Sequence, residues 1–216
     1  MRLDDRHLMP AVLLCATAGI VDVIAFVGFG GFFASFMSGN STRLAAAVAR
    51  PSIDLAIAAA LIASFVAGVA SATMLDRHPK ASAALRLAGP ALLVALSALL
   101  GPDGGTASLL LLAAAMGMLN VALGDRGIGL TYMTGTLVRL GKALGRRLAG
   151  GATGELAAQD LLLWTSFVAG GMIGAGLFAW SGMQGLWAAI ATMGAAALLM
   201  LSGEEQAPAA SSDGRD

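Results

Sequence analysis

One short design occurs twice in this chain, and the duplication restricts the fold more than any other feature. Met37-Ser-Gly-Asn-Ser-Thr-Arg-Leu44 recurs as Met133-Thr-Gly-Thr-Leu-Val-Arg-Leu140. Upstream of each copy lies a Gly-x-x-polar step, Gly19-Ile-Val-Asp22 and then Gly117-Met-Leu-Asn120. Downstream of each lies Ser-Phe-Val-Ala-Gly, at 64–68 and again at 166–170. The pairs keep their order and are separated by 98, 96 and 102 residues. A chain rich in Ala and Gly yields single accidental matches, but three ordered pairs at nearly one offset indicate duplication.

The solvent of the two halves follows from their composition. Hydrophobic residues make up 57% and charged residues 12%, about half the charged share of a soluble globule. Apolar runs near 11–31, 55–75, 84–100, 106–123, 161–180 and 186–202 are each about long enough to cross a ~30 Å hydrocarbon core as a helix. Pro90 is expected to kink the third, since it lacks a backbone donor and crowds the preceding turn. The fold class is therefore all-α integral membrane, with six transmembrane helices. The first run is too long for a signal peptide, carries Asp22 and lacks a small-residue cleavage site, so it is expected to be retained.

Lysine and arginine set the orientation. Arg2, Arg6, Arg77, Lys80, Arg86, Arg126, Arg139, Lys142, Arg146, Arg147 and Arg215 fall on one side, against Arg43 and Arg50 on the other. The positive-inside rule places both termini in the cytoplasm. A repeat of three spans is odd, so its copies enter the membrane from opposite sides, as in many transporters. The expected organisation is a cytoplasmic N-terminus (1–10) and a single membrane domain (11–202), followed by a disordered tail (203–216) rich in Ala, Ser, Pro and acid. Within the domain, repeat 1 covers about 11–100 and repeat 2 about 106–202.

Asp22 is the one acid placed deep within a span. A carboxylate there is costly, faces the bundle interior and needs a partner. It reads either as a cation or proton site or the anchor of a polar network, or as a buried Asp paired with an arginine that merely locks helices together. Asn120 is its counterpart and cannot ionise. After spans 1 and 4, in the candidate site that also includes Gly39 and Gly135, Ser38, Asn40 and Ser41, with Thr134 and Thr136 in the second copy, are expected to cap short or re-entrant helices at about 41–50 and 136–149. Their amino termini would suit an anion or a polar oxygen. Arg43 and Arg139 sit one turn further in, where the helix dipole disfavours them, so a negative group is expected nearby: Asp22, a lipid phosphate or a substrate.

Each of these has a plainer reading. Leu137, Leu140, Leu144 and Leu148 share a face, with Arg139, Lys142, Arg146 and Arg147 mostly away from it. That pattern describes a cationic amphipathic helix on the inner leaflet, bound to anionic lipid over 137–148. Gly170, Gly171, Gly174 and Gly176 form a small-residue surface for close helix approach, and Ala67, Gly68 and Ser71 resemble it in the second span. Trp164, with Trp180 and Trp187 at the other interface, suggests an aromatic belt. Cys15 is the sole cysteine, which excludes an internal disulfide and a thiolate metal site. His7 and His78 lie outside the spans, and no G-x-S-x-G, H-E-x-x-H or P-loop is present, so no enzyme, cofactor or metal is expected. Zero net charge points away from nucleic acid.

Gly19-x-x-Asp22, Met37-Ser-Gly-Asn40 followed by Arg43, then Asn120 and Thr131-Tyr-Met-Thr-Gly135, together resemble the YoaK-like family of small bacterial membrane proteins. The resemblance runs from about Ala11 to Ser202. Ser38 stands where that family is expected to have Thr, and Val23 where it has Ala; both changes are conservative. The resemblance implies a bacterial inner-membrane protein of about six spans, and no established substrate or catalytic residue. The expected function is a small transporter or channel-like protein for a small polar or anionic solute. Asp22 and Asn120 would line the site, and Arg43 and Arg139 would set its charge preference. The alternative is a non-transporting scaffold that binds anionic lipid. Homo-oligomerisation stays open.

Overall fold

The computed structural model describes residues 3–49, 53–77, 82–123, 129–151 and 155–205. The long elements in them are all helices: α1 (Asp5–Gly28), α2 (Met37–Ala49), α3 (Ile53–Asp76), α4 (Ala83–Leu100), α5 (Gly105–Leu119), α6 (Met133–Leu148), α7 (Glu155–Ser181) and α8 (Leu186–Glu205). Short 3-10 turns, Pro102–Gly104 and Gly182–Gly185, join α4 to α5 and α7 to α8.

Five stretches among the described residues are long and apolar enough to cross a membrane: Arg6–Gly28, Asp54–Asp76, Ala83–Leu100, Pro102–Leu119 and Ala157–Ser202. The last is 46 residues long and contains both α7 and α8, which part where Gly182 turns at φ +59. Large apolar side chains stand on the outside of the bundle, among them Met74 (73% exposed), Leu99 (70%) and Met172 (71%). Water does not tolerate apolar surface on that scale, whereas lipid does. The protein is an all-helical membrane protein.

Several helix ends differ from the sequence expectation. α1 starts at Asp5 and stops at Gly28, before Gly30 and Gly31, whose φ of +66° and +82° reverse the chain. α5 stops at Leu119 rather than 123, and Asn120 spends its side chain on the following loop. α4 continues through Pro90, which is buried inside it. α8 reaches Glu205, so the first residues of the expected tail are helical. Residues 206–216, and the loop cations Arg50, Lys80 and Arg126, lie outside the described residues.

The packing is crossed between the halves. α1 lies against α7 and α8, and α5 against α3 and α4; α2 rests on α3, α6 on α7, and α4 touches α8. Exchanging α1–α4 with α5–α8 leaves these contacts unchanged. The leading helix of each half thus packs on the third helix of the other, and in parallel. Leu3 exchanges hydrogen bonds with Gln159 at one end of α1 and α7, and Gly28 meets Phe178 at the other. In the second pair, Ser64 Oγ donates to the Leu110 carbonyl (2.8 Å) and Gly68 faces Ala114.

Glycines bring these pairs into backbone contact. A Cβ at Gly19 would lie 2.0 Å from the Phe167 oxygen, and one at Gly117 would lie 2.1 Å from that of Phe65. A Cβ at Gly170 would lie 2.1 Å from the Ala16 oxygen, and one at Gly68 would lie 2.1 Å from that of Ala114. The four contacts form two equivalent pairs at the repeat offsets. The small surfaces of the second and fifth expected spans do not face each other: each receives the leading helix of the opposite half.

Candidate functional site

Asp22 projects from α1 six residues before its end, about 9 Å along the axis at 1.5 Å per residue. After Gly30 and Gly31 reverse the chain, residues 31–35 descend to that depth. Ser35 then donates its backbone N–H to Asp22 Oδ1 (2.6 Å) and its hydroxyl to Oδ2 (2.5 Å). Both carboxyl oxygens are thus held by Ser35, one by its backbone and one by its side chain. Asp22 and Ser35 are buried, and no cationic side chain among the described residues contacts the carboxylate. Of the readings of Asp22, the pairing with an arginine is not found, and the carboxyl instead anchors polar contacts with Ser35.

Asn120 repeats the arrangement. Its Oδ1 accepts the N–H and the hydroxyl of Thr131, each at 3.2 Å, while its Nδ2 donates back to the Met116 carbonyl (2.8 Å). Ser35 and Thr131 are themselves 96 residues apart, the offset of Met37 and Met133. Cys15, near the middle of α1, donates from Sγ to the Leu130 carbonyl at 3.4 Å. The second loop thus reaches the mid-depth of α1 from the opposite end to the first.

Where the loops converge there is a half-open cavity of about 370 Å³, lined by Asp22, Val23, Phe26, Phe33, Phe36, Thr131, Met133 and Phe167, with Phe26 and Phe36 at its exposed rim. Its volume falls in the ~300–1,000 Å³ range of small-molecule sites. Three of its rings form a run: Phe26 and Phe33 have centroids 5.0 Å apart, and Phe33 and Phe36 meet edge-on at 5.2 Å. The wall is almost wholly apolar apart from Asp22 and Thr131.

The remaining expected site residues are distributed differently. Asn120 stands behind the cavity, joined to it through Thr131. Helices α2 and α6 begin at Met37 and Met133, several residues earlier than expected, so the polar residues lie inside their first turns and do not cap them. Ser38 and Thr134 are exposed. Ser41 donates its hydroxyl back to the Met37 carbonyl (2.8 Å). Asn40 is fully buried and locks the loop, accepting the Phe33 N–H (3.1 Å) and donating to the Phe33 carbonyl (2.7 Å). Thr136, also buried, accepts from Arg139 Nη2 (3.0 Å). Gly39 and Gly135 make room for the aromatic ring three residues earlier, Phe36 or Tyr132.

Neither arginine lines the cavity. Arg43 donates to the Gly31 carbonyl (2.8 Å), lies 3.9 Å over the Phe32 ring and stands 3.7 Å from Asp54. Arg139 binds Asp160 through Nε (2.8 and 3.0 Å) and Nη2 (2.7 Å). The negative group beside each arginine is thus an aspartate near the start of the next helix. Asp160 was missed because it sits one residue before the apolar run, and the aromatic lining because Phe in a membrane chain reads as generic core. Ser35 and Thr131 were within reach: extending the repeat alignment two residues upstream of the methionines pairs them.

Comparison with known proteins agrees with the motifs. The family described as "Protein of unknown function (DUF1275)" matches residues 10–199. The chain is similar to the UPF0700 transmembrane protein RA0705 of Rhizobium meliloti (strain 1021), at 34% identity over 195 residues, 88% of this chain and 83% of the relative. No solved structure matches.

Proposed function

The chain belongs to the DUF1275 family of proteins of unknown function, and on that premise we propose that it is a small transporter built from two inverted halves. In this reading α1, α3, α4, α5, α7 and α8 cross the membrane. The 46-residue stretch is counted twice, since as one helix it would run about 69 Å, more than twice the hydrocarbon core. The 29–36 and 129–132 loops re-enter from opposite faces and meet at the cavity. The relative's description as a transmembrane protein and the cation asymmetry of the loops support an inner-membrane location with both termini cytoplasmic. We read the protein as non-enzymatic, with α6 resting on anionic lipid.

The observation that carries the proposal is the cavity itself, bounded by both loops and by a buried carboxylate. Intramembrane acids facing such spaces mark solute or ion pathways. Arg43 and Arg139 are engaged outside the cavity, so the anion preference they were expected to set has no support at this site.

The test uses cysteine chemistry. Cys15 is buried, so a Cys15→Ala background carrying Val23→Cys places one thiol in the cavity wall. Labelling by a water-soluble maleimide from one or both sides of the membrane supports a solute pathway. Labelling only by a membrane-permeant reagent favours the scaffold reading, to which the exposed Leu137, Leu144 and Leu148 of α6 lend a lipid-facing surface.

A further inference from the structure

We propose that the cavity binds an organic cation: a compact apolar body carrying one amine or quaternary nitrogen. The inference deepens the transporter reading and rests on it for the cavity being a solute site. Three observations converge. The wall holds four phenyl rings, those of Phe26, Phe33, Phe36 and Phe167, with Met133 and Val23. The faces of such rings attract cations, the more strongly when water is excluded. The wall also holds Asp22, whose two oxygens are held by Ser35 donors without a countercharge among the described residues. Finally, both arginines that would favour an anion are bound to Asp54 and Asp160.

Size agrees with this class. An engineered cavity of about 150 Å³ holds benzene, so about 370 Å³ accommodates a phenyl ring with a quaternary ammonium group. An inorganic cation is a poor fit, because the wall offers it few oxygen ligands beyond a carboxylate already engaged by serine. A neutral hydrocarbon would draw only on the apolar part of the wall, and an anion would find no cationic side chain among the lining residues.

Calorimetric titration of the detergent-purified full chain decides the matter. The probes are benzyltrimethylammonium, its uncharged isostere neopentylbenzene, and benzenesulfonate. The expected result is at least tenfold tighter binding of the cation than of either other probe. Asp22→Asn should erase that preference, and Phe36→Leu should weaken the cation several-fold. Asp22→Asn should fold, since Asn120 in the other half holds both the N–H and the hydroxyl of Thr131 on its single Oδ1. If it does not, the cation-to-isostere ratio in the wild type and the Phe36→Leu variant decide alone. Equal binding of cation and isostere, or a folded Asp22→Asn variant that keeps the preference, overturns the proposal. Cation binding without uptake into proteoliposomes leaves the site standing and refutes the transporter. No cation binding, with Val23→Cys open to water, overturns the cation class and leaves the transporter.

Discussion

The four glycine contacts support a quantitative prediction, tested by replacing Gly117 with Ala. The added Cβ would begin 2.1 Å from the Phe65 carbonyl oxygen. The obstacle is backbone, so α5 and α3 must part by about 1 Å before the contact becomes tolerable. A gap of that size forfeits a quarter to a half of the dispersion attraction for the atoms along it. Over-packed cores typically lose about 1–3 kcal/mol, and the upper part of that range is expected because no flexible side chain can yield. For a chain of this length ~3 kcal/mol corresponds to a fall of roughly 6–12 °C in Tm. Helix circular dichroism during a thermal ramp in detergent reads it. Gly19→Ala meets the same obstacle at Phe167 and should fall by a similar amount. Gly194, with nothing within 4 Å of its notional Cβ, is the control: Ala there should be neutral, or stabilising by up to ~1 kcal/mol through helix propensity. A Gly117→Ala protein that melts with the wild type, or a Gly194→Ala protein that melts as early as Gly117→Ala, would refute the reasoning.

Further outcomes follow from single contacts. Asn40→Ala strips partners from the Phe33 N–H and carbonyl and should cost about 1–3 kcal/mol, read as an earlier melt. Asn40→Asp should not restore stability, because it lacks the donor that the Phe33 carbonyl needs. Arg139→Gln alone leaves the buried Asp160 carboxylate unpaired, so adding Asp160→Asn should recover stability; a double-mutant cycle should give coupling on the order of 1 kcal/mol, between exposed and buried pairs. Cys15 should resist water-soluble maleimide until the protein unfolds, so thiol labelling against temperature should track the circular dichroism melt.

The sequence-based reading reached the all-helical membrane class from the length of the apolar runs. Apolar run length located the long helices, with α1 and α7 starting six residues earlier than expected, and the family resemblance holds. The parallel pairing of α1 with α7 was not legible: Gly19 and Gly170 each advertise a close approach, but a small residue does not encode which helix approaches it. The site was half legible. Asp22 stood out because an acid in an apolar run is costly, and Asn120 followed from the offset. The polar residues of the short helices were misassigned as caps because Ser, Thr and Asn serve equally well for capping and for tying down a loop, as Asn40 does. Arg43 and Arg139 drew attention as unexplained charge, and only three-dimensional placement reveals Asp54 and Asp160 beside them.

The crossed pairing of the halves has a consequence for biosynthesis. When the first half leaves the ribosome, the glycine-lined faces of α1 and α3 have no partner, because α5 and α7 have yet to be made. The contacts of α3 with α5 can therefore form only once α5 is made, and those of α1 with α7 only later still. A gene split between α4 and α5 should yield two fragments that assemble only when produced together.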